Sequence, residues 1–205
     1  LNLSGIKHLI FDLGGVIIDL DPGSTFKAFE RLTGRPFEHW KEGMDHSQLF
    51  LDYEKGLIDD TQFREGVRRL GNITATDAEI DLAWNAMLGN IPAHRIQKVV
   101  ELGQDFTTYV LSNTNHIHEL AFNQILYRSM GKAELGHFFH KVYFSHNMKL
   151  RKPDAEIYRA VLDDSGLKPE EVLFLDDKPE NLRGAEKLKI QTFHVPSPDS
   201  WLELF

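Results

Sequence analysis

KHLIFDLGGVIIDLD, residues 7 to 21, decides how the chain is read. An apolar run of strand length, His8 to Phe11, ends directly on the carboxylate of Asp12 and is followed by two glycines. Four further runs of the same kind follow, at Thr107 to Leu111, Val142 to Phe144, Val172 to Leu175 and Gln191 to Val195. Helical patterns alternate with them. Pro92 opens one, with Ile96, Val99 and Val100 on a shared face and Gly103 at its end. Asp154 caps a second, with Ile157, Ala160 and Val161 buried and Gly166 closing it, and Pro179, Leu182, Ala185 and Leu188 form a third. Such alternation predicts an α/β fold, a parallel sheet covered by helices on both faces, whose ligands bind beyond the carboxyl ends of the strands.

Residues 20 to 91 break the alternation, because they carry helical patterns and no convincing strand. Phe26, Phe29 and Leu32 precede Gly34, and Phe63, Val67 and Leu70 precede Gly71. Thr76 with Glu79 reads as a capping box opening a helix that carries Ile80, Trp84 and Met87. Turn-rich stretches at Asp21 to Ser24 and Gly89 to Pro92 flank the block and read as paired hinges. The expected organisation is a core of residues 1–19 and 92–205 with a helical unit inserted at 20–91.

Composition narrows the function. With 205 residues the chain can bury one sizeable core and a smaller attached unit. Lys and Arg number 23 against 31 Asp and Glu, and the net charge of -8 opposes any broad attraction to nucleic acid or anionic membranes. Any anionic ligand therefore needs a local site. Without cysteine there are no disulfides, thiolate nucleophiles or thiolate metal sites. No window approaches the ~18 apolar residues of a membrane span, and Lys7, His8 and Asp12 interrupt the first apolar stretch, unlike a signal peptide. A cytoplasmic protein, monomeric or weakly dimeric, is expected. The chain begins at Leu1 without a methionine, which leaves room for residues before it.

In a doubly wound sheet the residues after the strands converge on one crevice. Here they are Asp12, then Ser112 and Asn113 in TTYVLSNTN, Lys152 in KLRKPDAEIY, and Asp176 and Asp177 in VLFLDDKPEN. Taken singly, each has an ordinary reading: a turn after a strand, a helix cap, a solvated lysine. Three carboxylates facing one another in a crevice repel strongly unless a cation lies between them, and an all-oxygen ligand set favours magnesium. A hydroxyl, turn amides and a lysine opposite that cation would cradle a phosphate, with Asp12 facing phosphorus as nucleophile.

In this order the four segments FDLGGVI, VLSNTN, RKPDAEIY and FLDDKPEN resemble the motifs of the haloacid dehalogenase-like hydrolases, and the resemblance spans nearly the whole chain. It implies a Rossmann-like core, a helical cap inserted between the first two motifs, and an aspartyl-phosphate intermediate on Asp12. It also implies that Ser112, the Asn113 amide and Lys152 hold phosphate, with Lys152 screening the nucleophile. Magnesium would be held by Asp12, the Gly14 carbonyl and Asp177, with Asp176 as a second or outer acid and Asn181 steadying its loop. The Asp-Leu-Gly opening most resembles a bacterial subgroup that includes a glucose-1-phosphate phosphatase.

Gly14 is the departure. Most phosphatases of this family carry an acid-base Asp there, two residues after the nucleophile. Asp19 and Asp21 follow soon after, though both read more readily as hinge or surface acids. The metal-free dehalogenases also lack that Asp, but they have no need of the pair Asp176 and Asp177. His116 and His118, two residues apart, lie on different faces of a helix and so do not read as a metal pair. Trp84 and Trp40 read as core of the helical unit. The expectation is a magnesium-dependent phosphatase acting on a small phosphorylated metabolite, foremost a sugar phosphate. Its rivals are a dehalogenase and a weakly catalytic phosphate-binding or partner-binding module.

Overall fold

The computed structural model describes residues 3–34 and 48–205; Trp40 lies outside them. Five strands, β1 (His8–Phe11), β2 (Thr107–Ser112), β3 (Lys141–Phe144), β4 (Val172–Asp176) and β5 (Gln191–His194), form one sheet in the order β3-β2-β1-β4-β5. Every pairing is parallel. The chain builds outward from β1 to one side through β2 and β3, then returns to place β4 and β5 on the other. The order therefore reverses at β1, where a crevice opens beyond the strand ends.

Period-two alternation sends neighbouring side chains into two different cores. Leu9, Phe11, Val110, Leu173 and Leu175 pack on one face against helices α5 (Ala93–Leu102) and α6 (His116–Met130). Ile10, Tyr109, Leu111, Val172 and Phe174 pack on the other against α8 (Ala155–Ser165) and α9 (Pro179–Glu186). A single turn, α7 (Ser145–Met148), follows β3.

Between β1 and β2 the described residues form helices: α1 (Pro22–Thr33), α2 (Gln48–Glu54), α3 (Asp60–Gly71) and α4 (Asp77–Asn85). Their core is separate. Phe29, Phe50, Tyr53, Phe63, Val67, Ile80 and Trp84 make it, joined by Ile117 from α6. Both halves of the Thr76–Glu79 capping box are formed. The end of α3 differs from expectation: Gly71 is buried in the last turn, and Asn72, at φ 50°, is the left-handed cap. Asn tolerates that conformation. Asp154 stands at the cap of α8 without a side-chain capping bond, its carboxylate lying 3.4 Å from Lys55 instead.

The two connections to the insert are bonded to each other. Asp19 N donates to Asn90 O, Gly89 N to Asp19 O and Asp21 N to Met87 O, at 2.8–2.9 Å, and Leu20 pairs with Leu88 as an antiparallel bridge. At Gly89 a Cβ would come within 2.8 Å of the Asp19 backbone oxygen, so this close approach requires glycine.

Candidate active site

Strand register carries the reactive groups to one point. Phe11 is level with Val110 on one side and Leu175 on the other, so Asp12, Ser112 and Asp176 emerge together at the sheet's carboxyl edge. Asp12 is held by its own N–H bond to Leu175 O at 2.8 Å and by Leu13 N, which donates to Oδ1 at 2.6 Å.

Lys152 is the centre of the arrangement. Its Nζ lies 2.9 Å from Asp12 Oδ1, 2.7 Å from Asp176 Oδ2 and 2.7 Å from Leu111 O, and the side chain is wholly buried. An ammonium has three donors, and all three are engaged. Burial works against the lysine's charge, but Asp12 and then Asp176 outweigh it and hold the group above its ordinary pKa. The loop that delivers Lys152 is clasped to the loop after β2: Lys152 N donates to Asn113 Oδ1 at 2.8 Å, and Asn113 Nδ2 donates to Lys152 O at 2.9 Å. The Asn113 side chain is thus committed to structure, which leaves its main-chain amide as the group it can offer an anion. Ser112, buried, ends β2 beside it.

The two adjacent acids differ. Asp176 is fully buried and accepts from Lys152, from Asn181 Nδ2 at 3.0 Å to both oxygens, and from Lys178 N at 2.8 Å. Asp177 is less deeply buried, yet its Oδ1 is enclosed and has no partner among the described residues. Burial first, then the charge of Asp176, raises the pKa of its carboxyl. Asp12 is likewise raised well above the ordinary carboxylate range by burial, which Lys152 opposes and Asp176 and Asp177 reinforce. The turn after Asp12 makes room for Asp177: Gly15 has φ +73°, and a Cβ there would lie 2.8 Å from Asp177 Oδ2.

One oxygen from each of Asp12, Asp176 and Asp177 lies within 4.8 Å of the others. Three carboxylates with one ammonium carry two uncompensated negative charges, and one enclosed oxygen lacks a donor. Those residues fit a small divalent cation with oxygen ligands.

Around this centre opens a cleft of about 470 Å³. Gly14, Asn113 and Asp177 line it from the core, and Leu20, Glu54, Trp84 and Met87 from the insert. Leu20 fills the space that a side chain at position 14 would enter, since a Cβ on Gly14 would lie 2.5 Å from Leu20 Cδ1. The nearby acids do not replace the missing one. Asp19 is paired with Arg95 at 2.7 Å, and Asp21 accepts from Ser24 Oγ at 2.7 Å beside the start of α1.

The two histidines part as their spacing requires. His116 turns to Asp60 at 2.8 Å, while His118 stacks on Trp84 with ring centroids 4.8 Å apart. His118 Nε2 reaches Trp84 O at 3.1 Å and Nδ1 meets Asn115 Nδ2 at 3.2 Å, so a neutral ring uses both nitrogens. Sequence reasoning did not single out Glu54 or Leu20. No local signal marks them, since each enters the cleft only through the placement of the insert.

A family model described as haloacid dehalogenase-like hydrolase matches residues 6–189. A D-ribitol-5-phosphate phosphatase of Bacteroides thetaiotaomicron is 28% identical over 196 residues, covering 96% of this chain and 95% of its own. A haloacid dehalogenase-family enzyme of the same species, crystallised with magnesium and inorganic phosphate, superposes with a TM-score of 0.88 at 36% identity, over 98% of this chain and 99% of its own. A predicted hydrolase of this family from Porphyromonas gingivalis does so with a TM-score of 0.88 at 32% identity, over 97% of this chain and 95% of its own. The match along the chain, together with the Asp-Lys-Asp centre at the strand ends, places this protein among the haloacid dehalogenase-like hydrolases.

Proposed function

We propose that the chain is a magnesium-dependent phosphatase that hydrolyses a small phosphomonoester, a sugar or sugar-alcohol phosphate, by transferring the phosphoryl group to Asp12. The observation that carries this reading is Lys152, buried between Asp12 and Asp176 with an unpartnered Asp177 oxygen alongside. A lysine so placed aims Asp12 and opposes the burial that raises its pKa, favouring the ionised form that a carboxylate nucleophile requires. The relatives' substrate and ligands, ribitol 5-phosphate, magnesium and phosphate, support the same class.

In this reading Asp12, Asp177 and the Gly14 carbonyl hold magnesium, with Asp176 behind them. The ion supplies charge neutralisation for a phosphate dianion among carboxylates. The Ser112 hydroxyl and the Asn113 amide bind the phosphoryl oxygens, and Lys152 adds its charge from below. An Asp12 carboxylate oxygen forms a bond to phosphorus as the ester oxygen leaves with the bonding pair. Solvent gives the departing oxygen its proton; water then attacks phosphorus, losing a proton to solvent, as the bond to Asp12 breaks and its carboxylate leaves with the bonding pair. The insert, residues 20–91, acts as a cap over the cleft.

The test is phosphate release from ribitol 5-phosphate and p-nitrophenyl phosphate, with magnesium and after chelation. Magnesium-dependent release is expected, and Asp12→Asn should lower it at least ~10³-fold while leaving the melting temperature within a few degrees. Activity retained in Asp12→Asn would remove that residue from the chemistry. Turnover absent in the wild type would favour a phosphate-binding module instead, the reading that the apolar filling of position 14 supports.

A further inference from the structure

The insert presents its wall of the cleft through Leu20, Pro22, Trp84, Met87, Leu88 and Glu54. Five of the six are apolar, and Glu54 alone is charged. Its position is fixed from the core at three points. Ser145 Oγ donates to Glu54 O at 2.7 Å, and the same hydroxyl accepts from Thr114 N at 2.9 Å in the loop after β2. Arg151, the residue before Lys152, brings both Nε and Nη2 to one carboxylate oxygen, Oε2, at 3.0 Å. The other oxygen, Oε1, is left without a protein partner among the described residues. The carboxylate is thus tied through Arg151 to the loop that carries Lys152, and the Glu54 backbone carbonyl through Ser145 to the loop that carries Asn113, so the residue stands at a set distance from the phosphate site. Hydrogen-bonding groups that discriminate between substrates have this rigidity.

We propose that Glu54 is the specificity-determining residue of the cleft, accepting hydrogen bonds at Oε1 from hydroxyls of a neutral, polyhydroxylated leaving group. This rests on the phosphatase reading above. The chemistry is selective in two directions. A hydroxyl gains a charged acceptor in a wall that otherwise offers it little, whereas an alkyl chain leaves the carboxylate desolvated and unpaired. A leaving group bearing its own carboxylate or second phosphate meets like charge, because Arg151 is already engaged by Glu54. The preferred substrate is therefore a polyol or sugar monophosphate, and phosphorylated acids are rejected.

The experiment measures kcat/KM for ribitol 5-phosphate, n-pentyl phosphate and 3-phosphoglycerate with wild type, Glu54→Gln and Glu54→Leu. The wild type should prefer ribitol 5-phosphate to n-pentyl phosphate by at least about tenfold, a preference that Glu54→Leu should reduce about tenfold or more, mostly through KM. Both variants should narrow the gap between ribitol 5-phosphate and 3-phosphoglycerate. A wild type that does not favour the hydroxylated chain overturns the proposal whether or not the variants fold. So does a folded Glu54→Leu that keeps the wild-type ratio within twofold. Failure of the underlying reading shows differently, as absence of phosphate release from every ester, p-nitrophenyl phosphate included.

Discussion

At position 14 the backbone would accept a side chain, since this glycine, unlike Gly15, does not take a positive φ, and what stands in the way is the movable end of Leu20. A positioned acid-base group contributes typically about 10² to 10⁴ in rate, or ~3–5 kcal/mol of barrier. Without one, breakdown of the phosphorylated Asp12 should be slow relative to its formation from esters with good leaving groups. A burst of p-nitrophenol before the steady state is expected, with rates that fall steeply as the leaving group becomes more basic. The paired change Gly14→Asp with Leu20→Ala should diminish the burst and raise turnover of alkyl phosphates. A flat leaving-group dependence without a burst would mean that another acid already fills the role. The two adjacent acids allow a second prediction. Asp177→Asn should weaken magnesium affinity with little loss of stability, whereas Asp176→Asn should lower the melting temperature because Lys152, Lys178 N and Asn181 all lean on that carboxylate. Equal effects in magnesium titrations and melts would mean that the inner ligand has been misassigned. Asp12 and Asp177 were legible in the sequence as acids closing apolar runs, whereas Lys152, beyond β3 and the turn α7, was legible only through the order of the four segments and the resemblance of RKPDAEIY. Leu20 was not, because the ribbon that turns it back over Gly14 is a pairing between two segments about 70 residues apart.

At the scale of elements, strands read well wherever a short apolar run was closed by a turn, and all five were found within a residue or two of their ends. What sequence could not supply was the way α4 and α6 meet. His118 was set aside only as a metal ligand, and it is in fact the buried contact between them, stacked on Trp84 and bonded to its carbonyl. Asn115 completes the joint, accepting from both His118 N and Trp84 Nε1. Tyr53 adds to it by accepting from Ile117 N in the first turn of α6, which has no partner within its own helix. Burial lowers the His118 pKa from 6.5 to about 4. The unfolded chain therefore takes up a proton below pH 6.5 that the folded chain refuses until about 4, so the stability associated with a neutral His118 is complete above 6.5 and lost as the pH falls. The loss amounts to ~2 kcal/mol at pH 5. His118→Phe should be less stable than the wild type at pH 7, since two polar groups lose their partner, but its melting temperature should fall less between pH 7 and pH 5. Parallel falls in the two proteins would show that His118 already titrates normally in the folded state.

The described residues form three apolar cores, two on the faces of the sheet and one within the insert, and the last borrows Ile117 from the core helix α6. That sharing sets how the insert can move. On one side lie the bonded connections at Asp19–Asp21 and Met87–Asn90, with the buried His118–Trp84 contact near them. On the other side, apart from the partly buried Glu54–Arg151 pair, the insert is held by more open contacts: Asp60 to His116, Lys55 to Asp154 and Lys149 to Gly56 O. Exposed pairs of this kind are each worth little, about 0–1 kcal/mol, so opening should occur at that edge while the connections act as the hinge. If the insert selects substrates by closing there, replacing residues 24–89 with a short linker should leave magnesium-dependent hydrolysis of p-nitrophenyl phosphate within about tenfold of the wild type. The ranking among sugar, polyol and alkyl phosphates should collapse, because the wall bearing Glu54, Trp84 and Met87 is gone. Ile117 and His118 become exposed in that protein, so a lower melting temperature is expected with it. The decisive comparison is the substrate ranking of a shortened protein that still shows a cooperative melt: a ranking unchanged from the wild type would place selection in the core loops instead of the insert.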